Sequence, residues 1–118
     1  MKQKFSNYND GYLKVYNDKN KKTNFNAKKN ILSEDDMEFV LKLAYEECNK
    51  RLEDLEFAEA NGHSLNMKVK TRFHKLINEK QKVVINNMLY NIYNLDFDRQ
   101  KQEIYLYLEG VRPIAWEN

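Results

Sequence analysis

Glycine, proline and cysteine are all scarce in this chain: three, one and one among 118 residues. Each scarcity excludes something. Cys48 stands alone and cannot form an internal disulfide, so the fold is no disulfide-stapled scaffold, and a buried, inert thiol is the plain reading. Gly11, Gly62 and Gly110 are isolated and build no glycine-rich phosphate loop. Turns must therefore rely on Asn and Asp. The two histidines, His63 and His74, have no Cys or His neighbour at ligand spacing, so neither a metal nor another cofactor is expected. No apolar run approaches the ~20 residues that cross a bilayer, so no membrane partner is expected either. Met1 to Asp10 lacks the apolar core of a signal peptide. Synthesis in a reducing, intracellular compartment is the expectation.

What is present points to a folded domain. Hydrophobic residues make up 42% and aromatics 13%, too rich for a disordered chain. The length suits one domain over residues 1–118, with 1–10 as an N-terminal arm and 112–118 as a C-terminal one. Net charge is only +2, which speaks against a dedicated nucleic-acid binder. The charges are banded. Between Lys14 and Lys29 six lysines face one acid, Asp18. From Glu34 to Glu59 ten acids face three bases, and from Lys68 to Lys82 six bases face only Glu79. Such bands either pair within one fold or join acidic and basic flanks of neighbouring copies; solvated faces are the plainer alternative.

The last third predicts two hairpins in succession. Val83–Ile85 and Met88–Tyr93 flank Asn86-Asn87, and Asn tolerates the positive φ that a two-residue type I′ turn demands twice. A polar turn from Asp96 to Gln102 leads to Ile104-Tyr105-Leu106-Tyr107-Leu108, dense in residues that suit a pleated surface. Upstream, Gly11–Tyr16 is a strand candidate, and residues 17–30 form a long lysine- and asparagine-rich loop of a kind that usually makes contacts. Leu65, Met67, Val69, Thr71 and Phe73 alternate with Asn66, Lys68, Lys70, Arg72 and His74, as in an amphipathic strand with a wet basic face.

Residues 34 to 61 fit two templates. Ser33 before three acids resembles a helix cap, and Leu41, Ala44, Tyr45, Cys48, Leu52, Leu55 and Ala58 recur at helical spacing up to Asn61-Gly62. Yet Met37, Phe39, Leu41, Leu43 and Tyr45 alternate strictly, the period of a strand. Pattern alone narrowly favours one long helix. That helix would suit a small nucleic-acid-binding regulator.

No catalytic constellation accompanies these elements, and an enzyme is not expected. Glu46-Glu47 with Glu53-Asp54 lack a partner histidine and read as a solvated face. Lys68, Lys70 and Arg72 would line up about 7 Å apart along a strand, where a nucleic-acid backbone is one partner and a lysine-protected sheet edge is the plainer reading. Trp116, beyond Pro113, is of the residue type enriched at interface hot spots; folding back on its own barrel is the alternative.

The order of these segments resembles the head-closure (head–tail joining, or stopper) proteins of tailed bacteriophages. The resemblance runs over residues 11 to 111. It rests on a strand ending near Ala44-Tyr45-Glu46 and a short charged helix, Lys50 to Ala60. The basic strand Met67-Lys68-Val69-Lys70-Thr71-Arg72 follows. Lys82-Val83-Val84-Ile85, the Asn-Asn turn, Tyr90-Asn91-Ile92 and the closing strand Glu103 to Leu108 complete it. The resemblance implies that residues 37–46 are a strand and only about 49–61 a helix, and we adopt that over the pattern. The expected fold is then mainly β: a small barrel or sandwich of about five to six antiparallel strands with one short helix.

It further implies a structural protein of the virion neck, made in the bacterial host cytoplasm. The protein would form a homo-oligomeric ring of about 6 or 12 copies between portal or adaptor and tail terminator, closing the DNA channel and docking the tail. Lys68, Lys70 and Arg72 would face packaged DNA in the lumen. Lys21, Lys22, Lys28, Lys29, Glu53, Asp54 and Trp116 would make inter-subunit or partner contacts. A tail terminator or other connector is the neighbouring reading. A small phage protein that inhibits a host protein or binds nucleic acid is the rival of another class.

Overall fold

A computed structural model describes residues 8–18 and 36–114. Six antiparallel strands close into a barrel in the order β1-β2-β3-β6-β5-β4: β1 Gly11–Asp18, β2 Met37–Cys48, β3 Met67–Arg72, β4 Lys82–Ile85, β5 Met88–Asp98 and β6 Glu103–Pro113. One helix, α1 (Leu52–Ala60), lies between β2 and β3. The mainly β fold with one short helix agrees with the expectation. The narrow pattern preference for a long helix over 34–61 does not hold: residues 37–48 pair along β1 and β3, and α1 covers only Leu52–Ala60. The regulator built on that helix loses its scaffold.

The double hairpin forms as the Asn-Asn turn predicts, with φ of 49° at Asn86 and 68° at Asn87. The second turn is shorter than the polar residues suggested, because β5 extends to Asp98. The Asp98 carboxylate accepts the amides of Gln100 and Lys101, and Gln102 takes a positive φ of 53°. Strands β1-β2-β3 and β4-β5-β6 are thus two meanders. The connector 73–81 joins them across the barrel end, since β3 and β4 lie on opposite sides of the closed order. Ile77 plugs that end from the connector. The buried Gln81 ties it down: its side chain donates to Leu76 O at 2.8 Å and Asn17 Oδ1 at 3.2 Å, and accepts the Asn78 amide at 2.9 Å.

The interior is filled by Leu13, Val15, Val69, Val83, Ile85, Ile92, Ile104, Leu106 and Leu108, with Tyr45 and Ile77. Thr71 is fully buried among them, and its hydroxyl donates to Ala44 O at 2.9 Å, so the polar group is satisfied. Three bulges interrupt the ladders: one leaves Val111 as an extra residue in β6, and the other two lie in β2 and β5. Val15 pairs with Leu41 and Tyr16 with Phe39, leaving Val40 as an extra residue in β2. One extra residue exchanges the faces of a strand. Phe39 therefore leaves the set with which it alternates in sequence, stands half-exposed and meets Tyr16 edge-on at 5.6 Å, while Val40 turns to the core. Tyr93 is the extra residue of β5, between the Ile92–Leu108 and Asn94–Tyr107 pairs. Its ring packs outside the barrel, beneath α1.

Leu106→Ala should lower the unfolding free energy by about 3 kcal/mol, since the side chain is wholly enclosed. Asn87→Val should cost about 1 kcal/mol through its positive φ, while Asn87→Gly should be tolerated. Urea midpoints compared at equal m-value check both.

Candidate functional site

The basic strand, the acidic helix and the aromatic closing strand come together outside the barrel, around one ion pair. Helix α1 starts at Arg51, whose amide donates to the Asp54 carboxylate at 3.0 Å. It stops in a Schellman arrangement: His63 N–H bonds Ala58 O, Gly62 N–H bonds Glu59 O, and Gly62 has a φ of +74°. These ends set a rotation in which only Asp54 and Ala58, one turn apart, face the barrel. Lys68 rises from β3 to meet Asp54, Nζ to Oδ2, at 3.0 Å. Its ammonium also stands 5.2 Å from the Tyr107 ring centre and 5.5 Å from that of Tyr105. Tyr93 completes the setting, tilted against Tyr107 at 6.2 Å and stacked on His63 at 4.8 Å. His63 in turn meets Glu109 at 3.1 Å, and Glu109 accepts the Ser64 amide at 2.7 Å.

Burial would raise the Asp54 pKa, but the hydrogen bonds from Arg51 and Lys68 outweigh it and hold the carboxyl down to about 2. Burial would likewise lower the Lys68 pKa, and the Asp54 bond raises it instead. Both groups therefore stay charged across the neutral range. Burial pushes the Tyr107, Tyr105 and Tyr93 hydroxyls up. The cluster is a clamp holding the helix to the barrel.

This corrects two expectations. Lys68 shares the outward face of β3 with Lys70 and Arg72, but α1 covers it and leaves it 6% exposed, so it does not front an open lumen. Asp54 is buried in the same pair and is no surface contact. Lys70 is mostly covered and meets Glu46 at 3.4 Å; Arg72 alone of the three is exposed, near the Tyr8 ring. Glu53 is exposed on α1. Lys21, Lys22, Lys28, Lys29 and Trp116 lie outside the described residues. Cys48 is half-buried, and burial pushes its thiol up. Among the described residues no group of three His, Cys, Asp or Glu could hold a metal ion, and no helix is long and apolar enough to cross a membrane.

Two surfaces escaped the sequence reading. Helix α1 exposes Leu52 and Leu55, i,i+3 neighbours, at 71% and 41% although both sit at core-like spacing, and Phe57 at 50% on its opposite flank. At the other barrel end Phe73 meets Phe97, tilted, with ring centres 4.6 Å apart, and Phe97 also lines an open recess of about 450 Å³ with Asp96, Asp98, Arg99, Gln100 and Tyr105; Leu76 in the connector is exposed as well. The recess holds carboxylates and a guanidinium but no histidine or cysteine. No protein-family model and no curated protein matches the chain.

Lys68→Met should cost about 2 kcal/mol, because it leaves the buried Asp54 carboxylate to Arg51 alone. The clamp also has a pH signature. A carboxyl whose folded pKa is depressed adds stability above its ordinary value of 3.8, and loses it as pH falls toward about 2. Asp54→Asn should flatten the acid limb of stability between pH 4 and 2, read by urea unfolding at each pH.

Proposed function

We propose that the protein is a non-enzymatic component of a tailed-phage neck, assembling into a ring between portal or adaptor and tail that closes the DNA channel and seats the tail. The observation that carries this reading is the element order within the barrel. A strand, a short acidic helix, a basic strand, an Asn-turned hairpin and a closing strand follow one another as the resemblance requires. The strands among them belong to one closed barrel, with the helix docked on its outside. A barrel without sheet edges suits a ring subunit, because copies then join through helices, loops and arms rather than by uncontrolled strand pairing.

The surface agrees with assembly through side chains. Helix α1 presents Glu53, Glu56 and Glu59 with no basic residue in its last turn, and apolar groups are exposed at both barrel ends. Lumen-facing charge, with Lys68 internal, falls to Arg72 and in part to Lys70.

Sedimentation of the purified full chain should show a closed oligomer that dissociates as salt rises from 0.05 to 1 M, because exposed charge pairs are screened within about 3 Å at the upper limit. A chain that stays monomeric at every concentration and binds neither portal nor tail-terminator protein would reject the reading in favour of a small binding module.

A further inference from the structure

Helix α1 is built inside out. It turns a carboxylate, Asp54, toward the barrel and leaves Leu52, Leu55 and Phe57 in solvent. Exposed Glu53, Glu56 and Glu59 are interleaved with them. Asp54 caps the helix, but the exposed apolar side chains and Glu59 do not serve it. Exposed apolar side chains gain nothing from folding, and Glu59 in the last turn opposes the helix dipole. A partner that is basic and carries an apolar anchor would relieve both. Nucleic acid is repelled by the same three acids.

The chain contains one segment of that chemistry. Residues 19–30 read KNKKTNFNAKKN: five lysines, no acid, and Phe25 at the centre. We infer that α1 is the docking face for residues 19–30 of a second copy, Phe25 packing against the i,i+3 neighbours Leu52 and Leu55 while the lysines meet the glutamates. The inference rests on the ring reading above and names its interface.

Reach favours a contact between copies. The segment leaves the barrel after Asp18, which pairs with Met37 at the start of β2; α1 follows Cys48, at the other end of that strand. At the ordinary rise the ends of β2 stand about 36 Å apart. Phe25 is seven residues past Asp18 and reaches about 25 Å at full extension. A protomer therefore offers the segment at one end and the receptor helix at the other. Such a head-to-tail interface is heterologous and closes into a ring when the rotation permits.

Charge reversal on each side tests this in the full chain. One variant carries Glu53→Lys, Glu56→Lys and Glu59→Lys; the other carries Lys21→Glu, Lys22→Glu, Lys28→Glu and Lys29→Glu. All these α1 positions are exposed, and circular dichroism checks that each variant is folded. Each variant alone should sediment as a monomer where the unaltered chain is oligomeric. Their equimolar mixture should reassemble, since a basic α1 now meets an acidic segment and the converse pair is also matched. Variants that assemble alone like the unaltered chain, or a mixture that stays monomeric, would overturn the inference while leaving the ring reading in place. An unaltered chain that is monomeric at every concentration would overturn the inference, and the ring reading as well if it also binds neither portal nor tail-terminator protein.

Discussion

Strands β1 and β4 meet over three registered pairs, Lys14–Val84, Val15–Val83 and Tyr16–Lys82, and the barrel depends on that seam. The two meanders are otherwise joined only along β3 and β6. Without the seam each would keep an open edge, with unpaired N–H and C=O groups. The seam is short, so it is supported from both sides of the sheet. Val15 and Val83 bury their side chains in the interior. Tyr16 and Val84 join Met37, Leu89 and Ile114 in a second apolar cluster, and Ile114 N–H is bonded to Asn87 O at 2.7 Å. Apolar burial on both faces explains why β4 reads as a continuous run, Val83-Val84-Ile85, rather than an alternating one.

Closure leaves α1 nowhere to go but the outside. A closed interior already filled by aliphatic side chains cannot admit a helix, so α1 docks through a small contact, Ala58 against Leu65 and Tyr107. An ion pair under a helix is weak evidence for stability, because desolvation opposes the Coulombic gain. Its better-attested consequence is specificity of placement. Asp54 caps the helix and receives Lys68 at once, which sets α1's rotation and so decides that Leu52 points outward, with Leu55 and Phe57 exposed on its two flanks. The proposed docking face is in that sense a product of the clamp. The bulge at Tyr93 belongs to the same construction, since it turns a bulky ring to the outer surface where the helix lies.

Local chemistry was legible in the sequence. Asn86-Asn87 specified its turn because few residues accept two positive φ values in succession. Asn61-Gly62 ended α1, and the alternation of β3 placed Val69 and Thr71 inside with Lys68, Lys70 and Arg72 outside. Residues 37–45 were ambiguous, because apolar positions two apart and three or four apart coexist there. The bulge at Val40 compounds this: the observed strand does not keep the alternation that suggested it.

Sequence by itself determined the turns, the alternating faces and the charge bands, all of which depend on a residue and its near neighbours. Tertiary structure decided what those faces meet. Lys68 and Arg72 are equivalent by period, yet one lies under α1 and the other in solvent, and the difference comes from a helix fourteen residues upstream in the pair Asp54–Lys68. Leu52 and Leu55 have core spacing but no core to enter, because the barrel was already full. Periodicity says which side chains share a face; only closure and packing say whether that face is covered.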